Sequence, residues 1–228
     1  MNNGVLPALV IFDCDGVLVE SEAIANRVFA EMVSKAGYPL TAEDSLQRFK
    51  GGRFKSLQAV IEEQLGRSLG SDWIAELYSA MYVAFRQELQ PVAGVVELIA
   101  TIQARRIPIC VASNGPLEKM RVTLGITGLW DLFNGHIFSS DMVDQPKPAP
   151  DLFLLAARTL GVAPADCLVI EDSRPGILGG LAAGMPTAAL VAEPQEKPAI
   201  EALGPTYLVP SLDQISQWFR AEAGSLCP

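Results

Sequence analysis

The sequence predicts an α/β protein in which helices cover a parallel β-sheet and an all-helical cap is inserted after the first strand. Two observations predict this. From Pro91 onwards, short apolar runs alternate with helical patterns, as in parallel sheets whose strands are joined by helices. Residues 21–89, in contrast, contain only helical patterns. We therefore expect a core of residues 1–20 and 90–228 and a helical cap of residues 21–89.

The first strand is the apolar run from Ala8 to Phe12, which is continuous, as expected for a strand buried on both faces. In the cap that follows, the first helix carries its apolar residues on one stripe. The second begins at a capping box in which Asp44 replaces the usual Glu or Gln. The helices predicted for the cap are residues 21–35, a short helix from Thr41, residues 56–65 and residues 72–89.

In the rest of the chain, strands are predicted at short apolar runs, and several helices begin at proline or end at glycine. The predicted strands are residues 107–112, 136–138, 167–170, 186–191 and 207–209. The predicted helices are residues 95–105, 116–124, 150–160, 175–183 and 211–221. Several glycines between Gly176 and Gly184 come after a helix start, so we expect close packing of helix on sheet there, not a nucleotide-binding loop.

The composition excludes several classes of function. The 228-residue chain is half hydrophobic, and its formal net charge of −9 disfavours nucleic acid as a partner. No apolar run is long enough to cross a membrane, and the N-terminus lacks the positive segment of a signal peptide. The four cysteines show no metal-ligand spacing. We expect a cytoplasmic protein with free thiols, a monomer or weak dimer, whose anionic substrate must be attracted by a local cation.

Polar side chains directly follow three of the predicted strands. They are Asp13 and Asp15, Ser113 and Asn114, and Glu171 and Asp172. The carboxyl ends of parallel strands lie at one edge of a sheet, so we expect these groups to meet. The acids could hold a hard cation such as Mg²⁺, and Lys147, held between prolines, suits the anchoring of an anion.

These groups suit phosphoryl transfer, which needs charge neutralisation and alignment more than elaborate covalent chemistry. Mg²⁺ and Lys147 would neutralise the phosphoryl oxygens, and Ser113 with nearby backbone N–H groups would hydrogen-bond them. One acid would attack phosphorus and form an aspartyl-phosphate. The other would protonate the leaving oxygen and then deprotonate water.

Each motif also has a simpler structural interpretation. The acid pair could form an Asx-type turn, the segment from Ser113 could be a loop and helix N-cap, and Lys147 could be a surface lysine. The acids from Glu171 onwards could cap a helix. His136 is the only histidine, has no partner motif and is assigned no role. Four clusters in this order make a common site the better interpretation.

Four segments resemble the motifs of the haloacid dehalogenase superfamily. They are Asp13-Cys-Asp15-Gly16-Val17-Leu18-Val19-Glu20-Ser21, Ser113-Asn114-Gly115, Lys147-Pro-Ala-Pro-Asp151, and Glu171-Asp172-Ser173 with Gly176. The resemblance covers nearly the whole chain. It implies a Rossmann-like core with a helical cap, as in the β-phosphoglucomutase-like branch. Two segments, 49–52 and 113–116, are also similar to bacterial sugar-phosphate phosphatases of the 6-phosphogluconate phosphatase kind.

The resemblance also implies roles for the matching residues. Asp13 would be the nucleophile, and Asp15 the general acid and base, a residue that the dehalogenase members lack. The implied Mg²⁺ ligands are the Asp13 carboxylate, the Asp15 backbone carbonyl, Asp172 and, directly or through water, Glu171. The implied phosphate ligands are Ser113, Asn114 and Lys147.

The sequence departs from β-phosphoglucomutase at Ala25, where that enzyme carries a histidine that helps to keep water out until the sugar is bound. The departure favours a Mg²⁺-dependent phosphatase that acts on a small phosphorylated metabolite, such as a sugar phosphate or sugar-acid phosphate. The alternatives are a hexose-phosphate mutase and a folded but inactive binding module.

A basic loop in the cap has its own hypothesis. Lys50, Arg53 and Lys55 lie in a segment with two glycines, where the backbone could approach a ligand. In an acidic protein these bases could recognise a second anionic group, such as a sugar-acid carboxylate. The alternative is a solvated basic turn.

Overall fold

The computed structural model describes residues 6–49, 54–133 and 135–220. Within these ranges the chain forms six β-strands and ten α-helices. The strands are β1 Leu9–Phe12, β2 Ile109–Ser113, β3 Ile137–Ser139, β4 Cys167–Glu171, β5 Thr187–Leu190 and β6 Tyr207–Val209. The helices are α1 Glu22–Lys35, α2 Ala42–Phe49, α3 Phe54–Leu65, α4 Trp73–Glu88, α5 Val95–Ala104, α6 Leu117–Ile126, α7 Asp151–Thr159, α8 Arg174–Ala182, α9 Lys197–Glu201 and α10 Leu212–Arg220.

The six strands form one parallel sheet in the order β3-β2-β1-β4-β5-β6. In its centre, Phe12 of β1 lies opposite Val111 of β2 and Ile170 of β4. The chain adds β2 and β3 on one side of β1 and the later strands on the other, so the order reverses at β1. Such a reversal opens a crevice at the carboxyl ends of the strands, where α/β proteins bind ligands. The predicted α/β fold is confirmed.

Alternate side chains of β1 face two different layers. Val10 and Phe12 belong to a large hydrophobic cluster that includes residues of α5, α6 and α10, whereas Leu9 and Ile11 belong to a second cluster with α7. Burial on both faces accounts for the continuous apolar run in the sequence. On α8, a β-carbon at position 180 would lie 2.6 Å from the hydroxyl oxygen of residue 187 on β5, so the expected close packing of helix on sheet is confirmed.

Helices α1–α4 occupy the segment between β1 and α5, and we refer to them as the helical cap. Aromatic side chains form its centre: the ring of Phe29 lies 5.8 Å from Phe49, 5.3 Å from Phe54 and 6.0 Å from Trp73. The α2 helix begins where the capping box predicts, because Thr41 Oγ1 accepts a hydrogen bond of 3.0 Å from the backbone N–H three residues later.

Two neighbouring segments connect the helical cap to the sheet. The backbone N–H of Glu20 donates to the Gln90 carbonyl at 3.0 Å, and that of Val92 donates to the Leu18 carbonyl at 3.0 Å. The incoming and outgoing chains therefore run side by side at the predicted domain boundary. The division into domains at residues 20/21 and 89/90 stays a prediction, and this paired segment is where we expect a hinge.

The structure differs from the predicted elements mainly at their ends. The predicted strands 107–112 and 167–170 stop before Ser113 and Glu171. In the structure both residues belong to these strands, where they lie opposite Ser139 and Ala189. Because both side chains are polar, the apolar pattern that predicts a buried strand ends one residue before them. The α9 helix has five residues, too few for helical periodicity to reveal it. Among the described residues, no helix combines the length and apolar character needed to span a bilayer.

Candidate active site

The candidate site begins at the end of β1, where the chain turns sharply around two carboxylates. Asp13 follows the strand directly, Asp15 comes two residues later, and Gly16 has a φ of 79°. A β-carbon at Gly16 would collide with the carboxylate of Asp172. Both the backbone conformation and the close approach of a second acidic motif therefore require glycine here.

Lys147 connects the ends of three strands. Its ammonium donates hydrogen bonds to Asp13 Oδ1 at 2.7 Å, to Glu171 Oε1 at 2.6 Å and to the carbonyl oxygen of Ala112 at 2.7 Å. An ammonium has three N–H donors, so this one is fully engaged. Burial opposes its charge, but the carboxylates of Asp13 and Glu171 outweigh that effect and raise the pKa of Lys147 above its ordinary value.

The loop after β2 is held against the loop that carries Lys147. The side-chain amide of Asn114 donates to the Lys147 carbonyl at 3.2 Å, and its oxygen accepts from the Lys147 N–H at 3.1 Å. From the end of β3, the Ser139 hydroxyl donates to the Gly115 carbonyl at 2.9 Å, and the Ser140 hydroxyl donates to the Asn114 carbonyl at 2.8 Å. The Asn114 side chain therefore positions Lys147, and its predicted contact with phosphate stays a prediction.

Glu171 is completely buried, and hydrogen bonds engage both of its carboxylate oxygens. Besides the contact of Oε1 with Lys147, Oε2 accepts from the backbone N–H groups of Asp172 at 3.0 Å and Ser173 at 2.9 Å and from the Ser173 hydroxyl at 3.0 Å. A β-carbon at Gly176 would occupy the place of this carboxylate. Glu171 thus joins Lys147 to the N-terminal end of α8.

Asp15 has a separate cation. Lys119 Nζ lies 2.7 Å from Asp15 Oδ1, and the Ser21 hydroxyl donates to the same oxygen. Burial alone would raise the pKa of Asp15, but the charge and hydrogen bond of Lys119, with the hydrogen bond from Ser21, outweigh it. These contacts therefore lower the pKa of Asp15 below its ordinary value and favour its ionised form.

A buried acidic cluster lies beside Lys147. Asp13, Glu171 and Asp172 each offer an oxygen, and these oxygens lie within 4.8 Å of one another. Burial and then the charge of Glu171 raise the pKa of Asp13 well above its ordinary value, and Lys147 opposes this increase only in part. A set of carboxylate oxygens that carries more negative charge than its lysine compensates fits a hard divalent cation such as Mg²⁺.

The two acids and two lysines face one cavity of about 60 Å³, between the sheet and the helical cap. Its sheet side is polar, and its lining residues include Asp13, Asp15, Ser113, Asn114, Lys119, Lys147 and Glu171. Its cap side combines one acid, Glu22, with aromatic or uncharged residues, which include Ala25, Asn26, Phe49, Phe54 and Tyr78. Ala25, the position that distinguishes the sequence from the mutase pattern, therefore borders the cavity.

The structure brings the predicted residues of all four motifs to one edge of the sheet. The cap residues Lys50 and Arg53 lie outside the described residues, so their predicted role stays a prediction. Sequence reasoning missed Lys119 and Ser21. Lys119 is the third residue of a helix that follows a functional loop, a position that could have drawn attention to it. The paired serines at residues 139 and 140, which follow the third apolar run, carry a similar signal.

Comparison with known families agrees with the sequence motifs. The family profile of haloacid dehalogenase-like hydrolases matches residues 7–184. This range includes β1 to β4, the helical cap and every charged residue of the cavity described above.

Several relatives are similar over nearly their full lengths. The chain is 32% identical to the 6-phosphogluconate phosphatase of Escherichia coli K12 over 213 residues, which covers 93% of this chain and 94% of the relative. It is 28% identical to hexitol phosphatase A of the same organism, with 90% and 92% covered. A solved structure from Thermotoga maritima, described as a candidate β-phosphoglucomutase, has a TM-score of 0.76 and 25% identity, with 93% and 98% covered.

Proposed function

Because the chain belongs to the haloacid dehalogenase-like hydrolases and is a phosphatase of that family, we propose that it hydrolyses a small phosphorylated sugar or sugar acid, with Mg²⁺ and through an aspartyl-phosphate. The observation that carries the proposal is the pairing of two acids with two different buried lysines around one cavity. Lys147 pairs with Asp13, and Lys119 pairs with Asp15. The two carboxylates are therefore held in different environments, as different chemical roles require.

Asp13 is the nucleophile in this proposal. A carboxylate oxygen of Asp13 forms a bond to phosphorus while the bond from phosphorus to the leaving oxygen breaks. Attack requires the ionised carboxylate, which Lys147 favours through its hydrogen bond of 2.7 Å. Since Lys147 also contacts Glu171 and Ala112, it holds the nucleophile in a fixed place relative to the neighbouring strands.

Asp15 is the acid and base. In the first step its protonated form gives the proton to the leaving oxygen, and in the second step its ionised form takes a proton from the water that attacks phosphorus. The bond between phosphorus and Asp13 then breaks and releases inorganic phosphate. The ionised state that Lys119 and Ser21 favour is the one needed for the second step.

Asp13, Asp172 and the backbone carbonyl of Asp15 would hold Mg²⁺, with Glu171 acting through water because both of its oxygens are already hydrogen-bonded. A bound Mg²⁺ supplies charge neutralisation for the phosphoryl oxygens and for the acidic cluster. The Ser113 hydroxyl and the loop that follows it border the cavity and would hydrogen-bond the phosphoryl group.

The small volume of the cavity supports a small substrate. Phe49, Phe54 and Tyr78 present ring surfaces on the cap side, which suit the C–H faces of a sugar or polyol, while the polar residues suit its hydroxyl groups. The names of the two Escherichia coli relatives point to the same substrate class. Ala25 carries no ionisable group, which favours transfer to water over the mutase reaction.

The test is phosphate release from a panel of sugar phosphates, polyol phosphates and sugar-acid phosphates, with and without Mg²⁺. We expect Mg²⁺-dependent release that the Asp13→Asn variant lacks. Lys35→Met, at an exposed position on α1, is the control for a substitution outside the site. Product isomerisation that depends on an added sugar bisphosphate, with little free phosphate, would instead identify a mutase.

A further inference from the structure

The two lysines of the cavity differ in how many of their N–H donors are used. Lys147 has an acceptor for each of its three donors. Lys119 has one acceptor among the described residues, Asp15 Oδ1 at 2.7 Å. Its side chain is nonetheless only 7% exposed. A buried ammonium that lacks hydrogen-bond acceptors is unfavourable, so the arrangement leaves two donors that a bound molecule can satisfy.

Lys119 is placed to meet a bound molecule. It lies in the first turn of α6, directly after the loop of Ser113 and Gly115, and it borders the cavity together with Asp15 and Tyr78. The 2.7 Å contact with Asp15 and the low exposure of the side chain hold the ammonium in the part of the cavity next to Asp15.

We propose that Lys119 is a substrate-binding residue that donates a hydrogen bond to a hydroxyl or carboxylate oxygen of the leaving group, close to the phosphate ester bond. This inference rests on the proposed function, in which Asp15 contacts the leaving oxygen. An acceptor that reaches Lys119 must lie near Asp15, because only 2.7 Å separates the ammonium from the carboxylate. That region belongs to the leaving group, while Lys147 and the acidic cluster lie beside Asp13.

The proposal predicts a selectivity that the helical cap alone would not provide. Esters whose leaving group carries an oxygen on a neighbouring carbon, as sugars and sugar acids do, gain a charge-assisted hydrogen bond from Lys119. Simple alkyl esters such as propyl phosphate offer no such oxygen. A hydrogen bond to a charged group contributes enough to favour the first class by about 10- to 100-fold.

The experiment compares two substrates in four forms of the full-length enzyme with Mg²⁺: the best sugar ester of the panel and propyl phosphate, whose leaving alcohol also needs a proton from Asp15. The forms are the wild type, Lys119→Met, Lys119→Gln and Lys35→Met. We expect Lys119→Met to lower kcat/KM about 10- to 100-fold more for the sugar ester than for propyl phosphate. Lys119→Gln, which keeps an N–H donor, should retain part of the preference for the sugar ester. Lys35→Met should leave the ratio of the two kcat/KM values unchanged.

A binding measurement separates contact with the leaving group from contact with the phosphoryl group. In the Asp13→Asn enzyme, calorimetry with the sugar ester and with inorganic phosphate should show that Lys119→Met weakens binding of the ester but changes binding of phosphate by less than about threefold. Equal weakening of both ligands would overturn the proposal, because Lys119 would then bind the phosphoryl group.

Equal losses of kcat/KM for both substrates would also overturn it, since Lys119 would then act only by positioning Asp15. If Lys119→Met does not fold, as judged by its thermal unfolding, the ratio of the two kcat/KM values in Lys119→Gln decides. A ratio below that of the wild type supports the proposal, and an unchanged ratio overturns it. Failure of the proposed function gives a different result, namely a wild type that releases no phosphate from any ester.

Discussion

The sheet side and the cap side of the cavity are built in different ways. On the sheet side, charged groups from the ends of β1 and β4, from the loop of Lys147 and from α6 form ion pairs of 2.6–2.7 Å, and Asp13, Glu171 and Lys147 are at most 7% exposed. On the cap side, the lining includes Phe49 and Phe54, and edge-to-face and tilted contacts of these rings with Phe29 join the helices. With the proposed function, this difference predicts that the sheet side carries out the reaction and that the cap side selects the leaving group.

This comparison makes a general prediction about substitutions. Changes on the sheet side should lower kcat for every ester to a similar degree, because each ester passes through the same reaction at phosphorus. Changes on the cap side should alter the ranking of esters and leave the reaction at phosphorus intact. Lys119 is the expected exception, since it belongs to the sheet side but faces the leaving group.

The largest effect is expected for Lys147→Met. The substitution leaves the buried carboxylates of Asp13 and Glu171 without their shared cation, which should destabilise the protein by about 3–5 kcal/mol and abolish phosphate release from all esters. Denaturant unfolding and the ester panel measure the two effects. Stability and release equal to those of Lys35→Met would contradict the role given to Lys147.

Mg²⁺ should stabilise the folded protein in a pH-dependent way. Since the folded-state pKa of Asp13 is raised, the stability this group contributes is present below its unfolded pKa and is lost as pH rises through the folded pKa. Mg²⁺ competes with the proton for the same carboxylate, so it should raise Tm more at about pH 8 than at about pH 5. At a concentration of about 100 times its Kd, it should contribute about 2.7 kcal/mol.

The control for Mg²⁺ binding is Asp172→Asn, which removes one carboxylate of the cluster and should lose most of the increase in Tm. An increase of the same size at both pH values, or one that survives in this variant, would place the cation elsewhere.

A smaller effect on the sheet side is expected for Gly176→Ala. The new methyl group would occupy the place of the Glu171 carboxylate, so α8 or Glu171 must shift, at a cost of about 1–3 kcal/mol together with reduced kcat. Gly125→Ala on α6 is the matched control, since a β-carbon there meets nothing within 4 Å. It should leave kcat unchanged and stabilise the protein slightly. Equal behaviour of the two variants would show that the packing around Glu171 is tolerant.

The smallest effects should come from the basic loop of the cap. If these bases bind a second anionic group, Lys50→Gln and Arg53→Gln should lower kcat/KM for sugar-acid phosphates by up to about tenfold and leave neutral sugar phosphates unchanged, since a solvent-screened ion pair contributes at most about 1 kcal/mol. Higher salt should reduce the difference. An unchanged ranking of esters would assign the loop to the solvated surface, and Lys35→Gln is the control for a charge removed elsewhere in the cap.

The sequence predicted the location of the site because strand ends in a parallel sheet lie at one edge, so motifs far apart in the chain had to meet. It did not predict the partners. The contact of the Asn114 side chain with Lys147 and the position of Glu171 inside its strand both depend on the tertiary fold. No local sequence pattern encodes them. Lys119 was missed because a lysine in the first turn of a helix is ordinarily exposed, and its burial and its contact with Asp15 depend on the tertiary fold.

The central claim is that Asp13 becomes phosphorylated in each reaction cycle. The direct measurement is acid quenching of the enzyme during turnover of a ³²P-labelled ester, followed by mapping of the labelled peptide. We predict label on Asp13, dependent on Mg²⁺ and absent from Asp13→Asn. Label on another residue, or phosphate release by Asp13→Asn at the wild-type rate, would contradict the account.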